Sequence, residues 1–198
     1  MADSYTNIGV EAGLTVRHLP NLICLVRIAL IWPTLGALSR GDYAVALLLF
    51  AVAAVSDGLD GYLAKRFNWT SELGKVLDPL ADKLLLVFMF VVATWNGLVP
   101  EWLTAAAVAR DVMIGLGALT FYFWFGPLRG RPTVISKINT LLQLSYLLAV
   151  MTHAAFQLPP QEILAALAVL AFITTVLSGA DYLYAFGRRA WTAPAKVF

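Results

Sequence analysis

The sequence predicts an all-α polytopic membrane protein with six transmembrane helices, and three observations carry that prediction. Of its 198 residues 60% are hydrophobic and only 13% charged, with a mean hydropathy of +0.77, whereas a soluble domain runs at about 45–50% apolar and about 25% charged. Six apolar stretches are long enough to cross ~30 Å of hydrocarbon at 1.5 Å per residue. Lysine and arginine crowd into alternate breaks between those stretches, which is the asymmetry that orients membrane helices. A formal net charge of +2 leaves no basic footprint for a nucleic acid.

Taken in order, the spans are expected at 20–39, 43–64, 80–96, 102–125, 136–156 and 161–186. The first ends at the polar break 40–42, and the second and third run on past the hydrocarbon into the charged segment between them. The third and fourth are parted by 97–101, the fifth and sixth by 157–160. Arg17, then Lys65, Arg66, Lys75 and Lys83, then Arg129, Arg131 and Lys137, then Arg188, Arg189 and Lys196 lie on one side, against Arg40 alone on the other. Both termini and the charged segment are therefore expected on the cytoplasmic face of the inner membrane, or on the topologically equivalent matrix side in an organelle. The domain plan is an N-terminal segment 1–19, a transmembrane domain 20–189 and a tail 190–198. The opening residues MADSYTNIGVEAG lack a basic region followed by an apolar one, so no cleavable signal peptide is expected. Cys24 is the single cysteine, which excludes an intramolecular disulfide.

The segment SDGLDGYLAKRFNWTSELGKVLDPLADK, residues 56–83, holds five acids and four bases in an otherwise oily chain. Asp57 and Asp60 are three apart and Asp78 and Asp82 four apart, so on helices each pair shares a face. Four carboxylates gathered without counterions would repel and raise one another's pKa values. A bound divalent cation, or two, removes the conflict, and all-oxygen ligation suits Mg²⁺ or Mn²⁺. Such ions usually hold substrate phosphates as well, which points to phosphoryl or phosphatidyl chemistry at the membrane surface. Gly58, Gly61 and Gly74 beside the carboxylates leave room for a ligand or a second backbone. Lys65, Arg66 and Lys75 can balance diphosphate charge. The bland reading of each charge taken singly is a helix cap or a snorkelling lysine.

The spacing Asp57-x-x-Asp60-Gly61-x-x-Ala64-Lys65-x(8)-Gly74-x(3)-Asp78-x(3)-Asp82 resembles the signature of the CDP-alcohol phosphotransferases, with Lys65 where that family has arginine. Lysine keeps the charge and loses the planar fork. The resemblance implies six transmembrane helices, two metal ions and CDP-diacylglycerol as lipid donor. It implies one metal on Asp57, Asp60 and Asp78, the other on Asp57, Asp78 and Asp82, and Asp82 as the general base. Gly61, Lys65, Ser71 and Gly74 would border the CDP moiety. PNLICLVR resembles the family's first-helix P-N-x-x-[ST]-x-x-R element and would put Asn21 near the nucleotide, with Cys24 at its hydroxyl position.

Within the family, ARDVM (109–113), PTVISKINTLLQ (132–143) and TTVLSGADYLYAFGRR (174–189) look like the CMP-forming cardiolipin synthase branch, whose acceptor is phosphatidylglycerol. The phosphatidylglycerophosphate synthase branch, which uses glycerol-3-phosphate, usually has a second lysine where Asn139 stands. A phosphomonoester wants that extra charge; a lipid diester wants apolar surface. Acceptor contacts are expected from Lys137, Arg110 and Asn139, and Arg110 with Asp111 forms an ionisable pair at membrane depth. His18 and His153 read as solvated, and Trp95, Trp102, Trp124 and Trp191 as interfacial belts. The expected reaction joins CDP-diacylglycerol to phosphatidylglycerol and releases CMP. Glycerol-3-phosphate as acceptor and a metal-ion transporter are the alternatives, and a homodimer is one assembly the sequence leaves open.

Overall fold

Several helix ends among the described residues fall where the sequence carries capping chemistry. In the computed structural model the backbone is described for residues 19–67, 74–125 and 133–192, and side chains for 26–56, 83–120, 123–124 and 133–188. Among the described residues there are six helices and no strand: α1 Leu19–Ser39, α2 Tyr43–Phe67, α3 Gly74–Trp95, α4 Glu101–Phe125, α5 Val134–Phe156 and α6 Gln161–Thr192. The expected all-α class holds, and every expected span falls on a helix. Three helices outrun their expected spans by three residues or more: α2 runs on past 64 to Phe67, α3 begins six residues earlier than the expected 80, at Gly74, and α6 runs on past 186 to Thr192. Backbone hydrogen bonding continues into segments that hydropathy alone does not include.

Two glycines stop helices in the left-handed region. Gly41 (φ 80°) and Gly97 (φ 72°) take a conformation that costs other residues steric strain. The Asp42 amide donates to Ala37 O and the Gly41 amide to Leu38 O, a pattern repeated by Leu98 onto Ala93 and Gly97 onto Thr94. These paired bonds satisfy carbonyls that the helix end would otherwise leave orphaned. The end of α5 also takes a left-handed residue, Gln157 (φ 59°), but there the amide donates four residues back, to His153 O at 2.8 Å. At its start, Thr133 accepts from the Ser136 amide at 3.3 Å, an N-cap that the threonine supplies. His153 is in the last turn of α5, not in a loop, with Nδ1 2.7 Å from Pro159 O.

Among the described residues three helices have spans long and apolar enough to cross a membrane: Glu101–Thr120, Val134–Phe156 and Gln161–Arg188. The described parts of α1, α2 and α3 contribute the shorter apolar stretches Val26–Ser39, Tyr43–Ser56 and Lys83–Trp95. Large apolar side chains such as Leu48, Leu116, Leu141 and Ile173 are exposed, which in water would be an aggregation surface and in lipid is the ordinary outer face. The chain is an integral membrane protein.

The chain divides into two compact units, residues 1–88 and 89–198. In the first, α1 packs on α2, burying Ile31, Ala37 and Leu38 of α1 and Ala46, Phe50 and Ala53 of α2. Arg27 is also buried there, on α1. In the second, α6 is the common partner of α4 and α5. A Cβ at Gly117 of α4 would come within 2.8 Å of the Phe186 ring, so only glycine permits this approach of α4 to α6.

Candidate active site

Helix register sets the geometry of the acidic segment. Asp57, Asp60, Gly61 and Lys65 occupy the last three turns of α2, and Gly74, Asp78 and Asp82 the opening turns of α3. At 100° per residue, a separation of three turns the second side chain about 60° from the first, and a separation of four about 40°. Each aspartate pair therefore lies along one stripe of its own helix. The side chains of residues 57–82 lie outside the described residues, as does that of Asn21 on α1, and Ser71 lies outside them altogether. The donor set is all carboxylate, which fits a hard divalent cation and not zinc.

A second polar centre is built in the other unit, by residues far apart in sequence. Arg110 of α4 is 4% exposed. Its Nη1 donates to Asp111 Oδ1 at 2.5 Å. Its Nη2 donates to Ser136 Oγ of α5 and to Ser178 Oγ of α6, each at 2.6 Å. The guanidinium carbon lies 5.8 Å from the centroid of the Tyr182 ring, within cation–π range. The Arg110 side chain packs beside Gly179, where an added Cβ would sit 3.8 Å from its Cγ. One side chain thus ties three helices together, a role that the planar, multiply donating guanidinium suits.

The polar seam continues along α5. Asn139 is 0% exposed, with Oδ1 2.8 Å from Thr175 Oγ1 and 3.1 Å from Thr174 Oγ1. One turn on, Gln143 Nε2 donates to Thr175 Oγ1 at 3.2 Å. Asn139 Nδ2 and Arg110 Nε are buried without a hydrogen-bond partner among the described residues. Lys137, between Ser136 and Asn139 in sequence, is exposed in the first turn of α5.

Of the three residues expected to meet the acceptor, then, Arg110 and Asn139 belong to one buried seam and Lys137 stands outside it. Ser136, Ser178, Thr175 and Gln143 went unrecognised as single residues, although Ser136, Asn139 and Gln143 at i, i+3 and i+7 form a polar stripe legible in the sequence. Arg27, which closes the PNLICLVR element, is a further buried polar residue whose signal in the sequence is an arginine within an apolar helix.

The chain matches the CDP-alcohol phosphatidyltransferase family over residues 17–177. It is 36% identical over 190 residues to the CMP-forming cardiolipin synthase of Homo sapiens, covering 86% of this chain and 62% of that protein. The CMP-forming cardiolipin synthase of Streptomyces coelicolor is 37% identical over 117 residues, 55% of this chain and 52% of its own length. The CDP-diacylglycerol–glycerol-3-phosphate 3-phosphatidyltransferase of Bacillus subtilis is 29% identical over 192 residues, 83% of this chain and 93% of its own. The chain thus spans about 62% of the length of the human protein.

Proposed function

The chain belongs to the CDP-alcohol phosphatidyltransferase family, and from that membership we propose that it moves the phosphatidyl group of CDP-diacylglycerol onto phosphatidylglycerol, forming cardiolipin and CMP. The observation that carries the choice of acceptor is the 36–37% identity to CMP-forming cardiolipin synthases over most of the chain. Glycerol-3-phosphate is the second reading, favoured by the Bacillus relative, which the alignment covers over 93% of its length. A metal-ion transporter has no support in the family match or the relatives.

The family is divalent-metal dependent. Two Mg²⁺ or Mn²⁺ ions would be held by Asp57, Asp60 and Asp78 and by Asp57, Asp78 and Asp82, a reading supported by the shared stripe of each pair on α2 and α3. When bound, such ions neutralise a diphosphate and stabilise departing CMP. Asn21, Gly61, Lys65, Ser71 and Gly74 bind the CDP moiety; the Lys65 ammonium supplies charge, and the glycines leave space. Asp82 takes the proton from the acceptor hydroxyl, whose oxygen bonds to the β-phosphorus. The bond from that phosphorus to the bridging oxygen breaks, and CMP leaves with the oxygen. Lys137 meets the acceptor's phosphate. Arg110 and Asn139 act as positioning residues: Arg110 of α4 donates to Ser136, in the turn that carries Lys137, and to Ser178 of α6, and Asn139 of α5 accepts from Thr175 of α6. The positive-inside bias supports the cytoplasmic face as the side of this chemistry.

The test is acceptor competition with purified protein, labelled CDP-diacylglycerol and a divalent cation. Cardiolipin and CMP should form with phosphatidylglycerol and far less product with glycerol-3-phosphate. Product with glycerol-3-phosphate alone would move the chain to the second reading.

A further inference from the structure

We propose that the crevice at the start of α6 is a binding site for one bilayer phospholipid with a cationic amino headgroup. The crevice measures about 540 Å³ and is lined by Pro100, Trp102, Tyr146, Glu162, Ala165 and Ala168, among others. All of these belong to the second unit.

Its shape is amphipathic along the helix axis. Glu162 and Trp102 lie in the first turns of α6 and α4, at the mouth. Ala168 is six residues further along α6, about 9 Å deeper at 1.5 Å per residue. The small side chains of Ala165 and Ala168 leave the hollow, and the exposed apolar surface around it faces acyl chains. A lipid lying with its headgroup at the mouth and one chain along α6 matches that grading.

Charge selects the headgroup. Among the described residues Glu162 has no ion-pair or hydrogen-bond partner, and Glu101 adds a second acid at the same end of α4. The lysines and arginines of this unit with described side chains are Arg110, Lys137 and Arg188, ten residues into α4, in the first turn of α5 and in the last turns of α6. None is in the opening turns of α4 or α6 that form the mouth. An anionic headgroup would meet only acids there, whereas an ammonium group has the Glu162 carboxylate. It also has the Trp102 ring, 48% exposed and held edge-on to Phe172 at 5.2 Å and 87°.

A buried phenol gives the independent sign of a ligand. Tyr146 lines the crevice, is 3% exposed and is stacked on Phe90 at 6.4 Å. Its hydroxyl has no hydrogen-bond partner among the described residues and is reachable from the crevice, so a phosphate or ester oxygen of the lipid would accept from it.

The full chain, purified in detergent, would be titrated with dioleoylphosphatidylethanolamine and, separately, with dioleoylphosphatidic acid, and bound lipid counted by native mass spectrometry. One phosphatidylethanolamine should be retained. Glu162→Gln should weaken it about fivefold, the scale of one solvent-accessible ion pair, without weakening phosphatidic acid. Ala165→Phe, at an exposed position, should fill the crevice and abolish retention while leaving the melting temperature near that of the parent. Equal phosphatidylethanolamine binding by all three proteins would mean adventitious surface lipid only and would overturn the site. A weakening of both lipids by Glu162→Gln would overturn the headgroup assignment. Loss of a dimer in Ala165→Phe with unchanged lipid binding would make the occupant a second copy of the chain.

Discussion

Ser178→Ala is the sharpest probe of the seam that joins α4, α5 and α6. The substitution removes one oxygen from a fully buried site and leaves no sizeable void, so what it reports is the bond to Arg110 Nη2 at 2.6 Å. A hydrogen bond to a charged group contributes about 1.5–3 kcal/mol in soluble proteins, but side-chain bonds between membrane helices average about 0.6 kcal/mol and reach about 1.7. Arg110 keeps Ser136 at 2.6 Å and Asp111 at 2.5 Å, so the guanidinium is not stranded, and the larger cost of an unpaired buried charge does not arise. The expected loss is therefore about 1–2 kcal/mol, read as a lowered melting temperature in detergent. Because Ser136 precedes Lys137, a loosened clasp should also raise KM for the acceptor, by less than the roughly 5–30-fold that 1–2 kcal/mol could supply. The KM for CDP-diacylglycerol should stay put. Ser178→Thr retains the hydroxyl and should recover most of both losses. If Ser178→Ala and Ser178→Thr behave alike in melting and in acceptor KM, the bond does not position Lys137 and the reasoning fails.

The remaining expectations concern the acidic segment and the acceptor. Asp57→Asn and Asp78→Asn should each abolish turnover, since an amide cannot replace the charge of a carboxylate that serves two ions; near-normal CMP release by correctly inserted protein would refute the two-ion reading. Asp82→Asn should slow the single-turnover step by ~10²–10⁴-fold, the range of a general base, with CDP-diacylglycerol binding largely kept; weakened donor binding at an unchanged rate would make Asp82 structural. Asn139→Lys tests acceptor choice. Asn139 is the sixth residue of α5, and a lysine there, tilted toward the N-terminus as helix side chains are, adds a positive charge near the start of the helix on the face turned away from Lys137. Glycerol-3-phosphate binding should improve by at most about 10- to 150-fold, with a lowered melting temperature from the lost Thr175 contact. A folded variant with no such gain would remove residue 139 from acceptor selection.

Much of this molecule is legible without coordinates. Lipid cannot satisfy backbone polar groups, so an apolar stretch long enough to span the bilayer has to be helical, and all six spans follow from that constraint alone. The turns R-G-D at 40–42 and N-G at 96–97 mark helix ends because glycine takes the left-handed conformation cheaply. The shared faces of Asp57 with Asp60 and of Asp78 with Asp82 need only the helical period, which is why the family signature can be read as geometry.

What the sequence does not contain is which side of each helix meets protein. In a water-soluble helix apolar residues mark the inner face, but a helix apolar all round carries no such mark. In α5, Leu141 is 62% exposed and Leu147 is 0% exposed, although they are the same residue type on the same helix. Lys137 and Asn139 show the consequence. They are two residues apart, so the helical period puts them on nearly opposite faces, yet only the packing of α6 against α5 decides that Asn139 is enclosed and Lys137 is not. The Arg110 clasp likewise joins positions 26 and 68 residues apart. Helical periodicity is local and reaches a few turns; the convergence of α4, α5 and α6 on one guanidinium comes from side chains fitting across helices, and tertiary structure alone determines that.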